Sequence, residues 1–330
     1  MKILVFEYVS GGGLAGQDLP ASLLAEGRMM LQALLDDLKS LPNLHLLLPL
    51  DERCADFSLP ANTQVVPIKR SDDIRQRLSD LIERAGFVWL IAPESGGLLA
   101  GLARMVVQQR KILLLSPPDT LAICADKLAT YRCLSANGIP AVETLGLAGL
   151  NEPPYPVCVI KPIDGVGCEG SLIVENPAEY SAAVENLPTP EKLLIQPMQA
   201  GQAISLSCLF KRGRGWLLCR NRQQLAVTQR SFNLRACLVN ADHPGLDQYQ
   251  DLVDRVARAL PGLWGYIGID IIETPDRGPL ILEINPRLTT SYVGIRRAIG
   301  INVVEQVFRL LDGDPFLCFS NNQEVRVDIQ

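Results

Sequence analysis

Two stretches of this sequence concentrate side chains that can do chemistry. The first is Lys161-Pro162-Ile163-Asp164-Gly165-Val166-Gly167-Cys168-Glu169-Gly170. A lysine closes an apolar run, and Gly165, Gly167 and Gly170 follow at close spacing. Such a loop can turn sharply and aim several backbone N–H groups at phosphate oxygens. Lys161 places a compact positive charge beside it. A plain hairpin loop between two strands would have a similar composition. The second stretch is Gly268-Ile269-Asp270 with Leu282-Glu283-Ile284-Asn285-Pro286-Arg287. Its two acids lie inside apolar strands, where they are costly unless they are paired or bind a cation. Glu283 and Asn285 are two apart and share one face of a strand, and Asp270 can face them across a hairpin. Three oxygen donors without His or Cys suit Mg²⁺, with Mn²⁺ as a substitute, bridging substrate phosphates. The plainer alternative is a salt-bridged hairpin using Arg287.

A third stretch matches a motif without carrying its chemistry. Gly11-Gly12-Gly13-Leu14-Ala15-Gly16 fits the GxGxxG pattern, follows an apolar run and precedes a helical one. A dinucleotide site would place an acid about 20 residues further on. The candidate, Asp51, lies too far along, and no hydride-transfer site follows. A Gly-rich turn that lets a ligand or a loop approach the backbone explains the same residues. No Gly-Lys-Ser/Thr follows, which excludes a P-loop.

The elements that must position these residues change character along the chain. Lys2–Val9, His45–Leu50, Thr63–Ile68, Phe87–Ala92 and Lys111–Ser116 read as strands. Between them, 18–38, 72–85 and 98–109 have helical spacing. Alternation of helices with near-continuous apolar strands implies a parallel sheet covered on both faces. Pro117-Pro118 marks a boundary, and a single helical stretch over Asp119–Ala136 follows it. Short strands with close turns come next, at 157–161, 171–174, 192–196, 204–210 and 215–220, and they look antiparallel. Helices are expected at 251–260 and 301–311, with a hairpin at 266–284. The expected division is 1–117, 118–190 and 191–330.

The 330 residues suffice for about two domains. Apolar residues at 48% and charged residues at 20% exclude a disordered chain. A net charge of −5 with no basic run argues against binding duplex nucleic acid, whose affinity rests on phosphate neutralisation. The nine cysteines form no CxxC pair, and only His45 and His243 could supply imidazole, so a structural zinc is not expected. Scattered thiols suggest a reducing, cytoplasmic setting. The opening apolar run is short and interrupted by Glu7, so neither a signal peptide nor a membrane segment is expected. His45 reads as strand-end packing and His243 as loop. Cys168, inside the glycine loop, would make turnover sensitive to alkylation. Whether copies associate into a homo-oligomer is not fixed by the sequence.

Asp126-Lys127, Val159-Ile160-Lys161-Pro162 with its glycine loop, Ile195-Gln196-Pro197-Met198 with Gly201, Asp270, and Glu283-Ile284-Asn285-Pro286-Arg287 occur in an order that resembles the ATP-grasp superfamily. The resemblance covers about 119–310. It implies a Rossmann-like N-terminal parallel-sheet domain followed by a two-lobed ATP-grasp fold of α/β and α+β class. It further implies that Lys127 and Lys161 hold ATP phosphates, together with the loop of Asp164, Gly165, Gly167 and Gly170. Backbone around Gln196, Pro197 and Met198 would meet adenine, and Asp270, Glu283 and Asn285 would hold Mg²⁺. Pro197 and Ala203 depart from the acids that relatives carry in the hinge.

Glu7-Tyr8-Val9-Ser10-Gly11-Gly12-Gly13, Ala92-Pro93-Glu94, Asn221-Arg222-Gln223 and Asn285–Tyr292 are similar to the tyramine–L-glutamate ligase group, associated with methanofuran biosynthesis. That resemblance spans nearly the whole chain. It implies small-molecule substrates, with the glutamate side-chain carboxylate joined to tyramine, tyrosine or a related amine through an acyl phosphate. Lys161 and Arg287 would be catalytic, with Arg287 on the carboxylate or the tetrahedral oxyanion. Ser10, Gly11, Gly12, Gly13, Glu94, Arg222, Thr290, Ser291 and Tyr292 would line the substrate side, with Glu7 or Glu94 on an ammonium group. Arg296 and Arg297 are further candidates, or solvated surface charges. An ATP-binding regulator without turnover, and a dinucleotide oxidoreductase using Gly11–Gly16, are the competing readings.

Overall fold

The run Lys2–Glu7 forms β1, buried from Ile3 onward, as a strand covered on both faces must be. After it come α1 (Ala21–Leu38), β2 (His45–Asp51), β3 (Thr63–Ile68), α2 (Ile74–Glu83), β4 (Phe87–Ile91), α3 (Leu98–Gln108) and β5 (Ile112–Leu113). The five strands pair in parallel in the order β3-β2-β1-β4-β5. This is the expected Rossmann-like sheet. The chain leaves β1 toward β2 on one side, and β4 lies on the other, so a switch point opens beyond the carboxyl ends of β1 and β4. The computed structural model describes residues 1–54, 56–167, 169–186, 189–241 and 246–329, so Cys168 and His243 lie outside the described residues.

The glycine turn after β1, where Ser10, Gly11, Gly12 and Gly13 were expected to meet a ligand, is closely packed. All four are buried. A Cβ on Gly11 would lie 2.3 Å from the Glu7 carbonyl oxygen, on Gly12 2.5 Å from Ile68, and on Gly13 2.3 Å from the Tyr8 ring. Glu7 is tied into the same turn. Its carboxylate accepts the Val9 N–H at 3.1 Å, and the Ser10 N–H at 2.6 Å and hydroxyl at 2.5 Å. It therefore does not face an ammonium group. The first helix does not open on the turn either, because α1 begins at Ala21 behind Pro20. The dinucleotide reading loses its physical basis there.

The helical stretch expected over 119–136 is two helices, α4 (Pro118–Ala125) and α5 (Lys127–Ala136), broken where Asp126 is extended at φ −90°, ψ 102°. Then β6 (Leu145–Gly146), β7 (Cys158–Pro162), β8 (Leu172–Val174), α6 (Pro177–Asn186) and β9 (Leu193–Pro197) build a small antiparallel sheet in the order β6-β9-β7-β8. The expected boundary at 190 therefore falls too early, since β9 pairs inside this sheet. Cys124, Leu134 and Ile139, in turn, pack in one core with Ile204, Phe210 and Ile269 of the large lobe. That lobe comprises β10 (Gln202–Lys211), β11 (Arg214–Thr228), β12 (Ser231–Val239), α7 (Leu246–Ala259), β13 (Gly265–Thr274), β14 (Gly278–Asn285), α8 (Tyr292–Ile299), α9 (Val303–Asp312) and β15 (Val325–Asp328). Its six strands are ordered β14-β13-β10-β11-β12-β15. Strand β12 and helix α8 were not expected, and β11 runs well past the expected 215–220. No helix among the described residues is long and apolar enough to cross a membrane.

A single apolar cluster joins the N-terminal domain to the large lobe, with Leu31, Leu34 and Leu35 of α1 packing among Tyr292, Ile295 and Ile299 of α8. Asp37 is buried at this seam. It accepts the Tyr292 hydroxyl at 2.7 Å and Arg296 at 3.2 Å, while Asn302 donates to its carbonyl at 2.9 Å. Desolvation outweighs these partners and raises the Asp37 carboxyl from 3.8 to about 6. The native state therefore binds the extra proton between those values, and stability falls as pH rises through that window. The Asp37→Asn variant removes this titration. Urea unfolding of both proteins should show the balance shifting toward the variant by up to about 3 kcal/mol between pH 4 and pH 7.

Candidate active site

The break between α4 and α5 aims Lys127. Asp126 caps α5 by accepting the Ala129 N–H at 2.8 Å, which satisfies one of the donors left free at a helix start. Lys127 is then the first residue of the helix. Its backbone N–H donates to Ile163 at 3.1 Å, its Nζ donates to the Gly165 carbonyl at 2.5 Å, and the same Nζ lies 3.3 Å from Glu283 Oε2. One side chain thus ties the glycine loop to the acidic strand.

The register of β13 and β14 sets Asp270 opposite Glu283 and Gly268 opposite Asn285, with a bulge beginning just after Asp270. Bulges beside sites re-aim side chains. Asp270 accepts Gln223 Nε2 and Asn285 Nδ2, both at 3.0 Å. Desolvation and the neighbouring Glu283 carboxylate push the Asp270 carboxyl well above its usual range. Burial also penalises a charged Glu283, but Lys127 and Lys161 outweigh it and hold that carboxylate low. Two acids side by side are a donor pair for a divalent cation, and the two lysines beside them leave positive charge for phosphates to balance. Among the described residues there is no cluster of three or more His, Cys, Asp or Glu that could hold a metal. Two carboxylates and one amide oxygen suit Mg²⁺, which completes its shell with water and phosphate oxygens. The donor set therefore fits the ion.

These groups converge on a cavity of about 10 Å³ whose walls include Glu94, Lys127, Gly165, Val166, Glu283 and Asn285. Glu94 comes from the loop after β4, at the switch point of the parallel sheet. Arg287 closes the same region from the strand side, its Nε donating to Glu94 Oε2 at 2.9 Å and its Nη1 to the Leu288 carbonyl at 3.1 Å. Glu94 is only 5% exposed, and its Oε1 also lies 2.9 Å from Arg287 Nε. A buried carboxylate paired with a buried guanidinium sets opposite charges side by side at one edge of this cavity.

The remaining expected residues have the following surroundings. The Asp164 carboxylate accepts the Gly96 N–H at 2.7 Å. Gly165 and Gly170 lie against the Pro162 ring, where a Cβ would come within 3.2 Å and 3.0 Å of it, and Gly167 is left-handed at φ +61°. Lys161 is the penultimate residue of β7 in the small sheet. Gln196 is buried and donates to Thr144 at 2.8 Å, Pro197 ends β9, and Met198 is exposed with its N–H on the Val157 carbonyl. Arg222 is 3.9 Å from Glu324, and Thr290 donates to Glu26 at 3.2 Å. Ser291 belongs to a buried hydroxyl cluster with Ser207, Tyr266 and Thr289. Tyr292 does not line a pocket. Its ring packs in the core and its hydroxyl is committed to Asp37, as is Arg296, while Arg297 accepts Asn321 and Gln323 through its carbonyl. Two features escaped the sequence reading. Gln223, quoted only within a motif, orients Asp270, and Ser95-Gly96 bonds Asp164. The signal for the second was the pair Gly96-Gly97, both left-handed.

The chain belongs to the ATP-grasp family: residues 124–291 match the ATP-grasp domain, and 44–121 match the pre-ATP-grasp domain that precedes it. It is an ATP-dependent ligase that joins a carboxylate to an amine. It is 27% identical over 296 residues to the tyramine–L-glutamate ligase of Methanocaldococcus fervens, covering 89% of each chain. The enzyme of the same name from Methanocaldococcus jannaschii is also 27% identical, over 89% of this chain and 84% of its own. In fold it is similar to an ATP-grasp superfamily protein from Archaeoglobus fulgidus (TM-score 0.71, 21% identity, covering 99% of this chain and 92% of that one). It is also similar to an L-amino acid ligase from Bacillus licheniformis (TM-score 0.68, 17% identity, 96% and 74%). The placement of Lys127 rests on its cap. Asp126→Ala should cost about 1 kcal/mol in urea unfolding and raise the KM for ATP, whereas Asp126→Asn, which can cap, should lose little of either.

Proposed function

We propose that this ligase joins the side-chain carboxylate of L-glutamate to a phenolic amine, tyramine or tyrosine, through an acyl phosphate. The observation that carries this reading is the Glu94–Arg287 pair beside the Lys127–Glu283 centre. A carboxylate to be activated needs a cation to hold it next to the transferred phosphoryl group. An amino acid also needs an anion for its ammonium group. Arg287 and Glu94, paired with each other beside that centre, supply the two when a ligand comes between them. The whole-length similarity to tyramine–L-glutamate ligases supports the choice of acid and amine.

Each step then has an owner. Lys127 and Lys161 neutralise phosphate oxygens, and backbone at Gln196, Pro197 and Met198 meets adenine. Asp270, Glu283 and Asn285 would hold Mg²⁺, which when bound supplies charge neutralisation at the phosphates. The γ-phosphoryl group passes to a carboxylate oxygen, and ADP leaves with the electron pair of the bridging oxygen. Little covalent help is needed, because position and charge dominate phosphoryl transfer. The amine nitrogen then attacks the acyl carbon. Phosphate departs with the C–O electron pair, and the nitrogen gives up one proton, which phosphate can carry. Arg287 is placed to hold the carboxylate and then the oxyanion.

The test is phosphate release from Mg·ATP with L-glutamate and each amine in turn, with mass spectrometry of the products. The expected result is turnover with tyramine or tyrosine and a product heavier by one glutamyl unit. Glu283→Ala should lower kcat by about 10²–10³-fold. Tight nucleotide binding without turnover for any amine would favour an ATP-binding regulator instead.

A further inference from the structure

Glu94, Ser95 and Gly96 are consecutive, yet they bond to two different parts of the site. Glu94 pairs with Arg287 at the end of the acidic strand. Ser95 Oγ donates to the Asp164 carbonyl at 3.0 Å, and Gly96 N–H donates to the Asp164 carboxylate at 2.7 Å. The residue after Asp164 is Gly165, whose carbonyl holds the Lys127 ammonium group. Asp164 thus stands between the turn that carries the acceptor-side acid and the backbone that holds a phosphate-side lysine. The turn is built for this contact. Gly96 and Gly97 are left-handed at φ 63° and 69°, a conformation that side chains rarely adopt.

We propose that Asp164 is a positioning residue: its carboxylate fixes the acceptor half of the site, through Gly96 and Glu94, against the phosphate half, through Gly165 and Lys127. The consequence rests on the ligase reading above. An acyl phosphate survives only if the amine is in place before water reaches the acyl carbon. Attack by water there breaks the C–O bond to phosphate, restores the free acid and releases phosphate. One ATP is then spent without an amide. Small displacements between reacting groups are expensive in rate, so loss of the contact should show as uncoupling.

Two measurements decide the matter. In the first, phosphate and amide are counted together for the wild type, Asp164→Ala, Asp164→Asn and Ser95→Ala at saturating substrates. Phosphate per amide should be near one in the wild type and rise about threefold or more in Asp164→Ala. Ser95→Ala should move it less, and Asn, whose oxygen can still accept the Gly96 N–H, should restore much of the coupling. An unchanged ratio in Asp164→Ala, whatever the total rate, overturns the proposal. The second is amide hydrogen exchange with Mg·ADP and no acid or amine. Nucleotide should slow exchange of the segment 94–100 in the wild type but not in Asp164→Ala. Equal slowing in both proteins, or none in the wild type, overturns the proposal independently of the substrates. If the wild type forms no amide from any pair, the function reading fails, and the exchange experiment still decides the role of Asp164.

Discussion

Two carboxylates on neighbouring strands, Asp270 and Glu283, are the constraint around which the rest is arranged. Like charges this close cannot both remain ionised in a protein interior without compensation. Lys127 meets Glu283 directly, Lys161 adds its field, and Gln223 and Asn285 each donate to Asp270. The cluster is then matched to a divalent cation and to phosphates, whose charges complete the balance. A purely structural pair would have no need of a glycine loop next to it.

The same constraint explains why three sheets come together at one place. The acids belong to the large lobe and Lys161 to the small one. Lys127 belongs to a helix that packs with the large lobe while its backbone bonds to the small one. The parallel sheet contributes Glu94 at its switch point, where such sheets expose a crevice. The seam of α1 with α8, apolar except for Asp37 and its partners, holds that sheet in register with the large lobe. Core packing therefore fixes the distance between Glu94 and Arg287.

Much of this was legible in the sequence, and the parts that were not share a cause. The parallel strands were legible because burial on both faces leaves continuous apolar runs. The hairpin with its acids was legible because charge inside such runs stands out. Helix α8 was not, since Gly294 and two arginines dilute its pattern, and it is helical because one face packs against Val239 and the first helix. The break at Asp126 was hidden because Asp and Lys are both tolerated in helices. Only the demand that Lys127 bond Ile163 and Gly165 separates α4 from α5. Tyr292 and the Ser10–Gly13 turn looked like ligand residues because aromatics and glycines serve pockets and cores alike.

The sequence by itself determined the kinds of chemistry available. Two lysines, a glycine loop and an oxygen-only donor set admit phosphate and magnesium, and composition excludes most alternatives. The tertiary structure decided which polar groups remain for a ligand. Residue type does not say whether a carboxylate is consumed by its own turn, as Glu7 is, held by a turn far along the chain, as Asp164 is, or paired with a guanidinium beside the cavity, as Glu94 is. That depends on contacts between residues far apart in the chain, which local pattern does not encode and only packing of the three sheets brings into being.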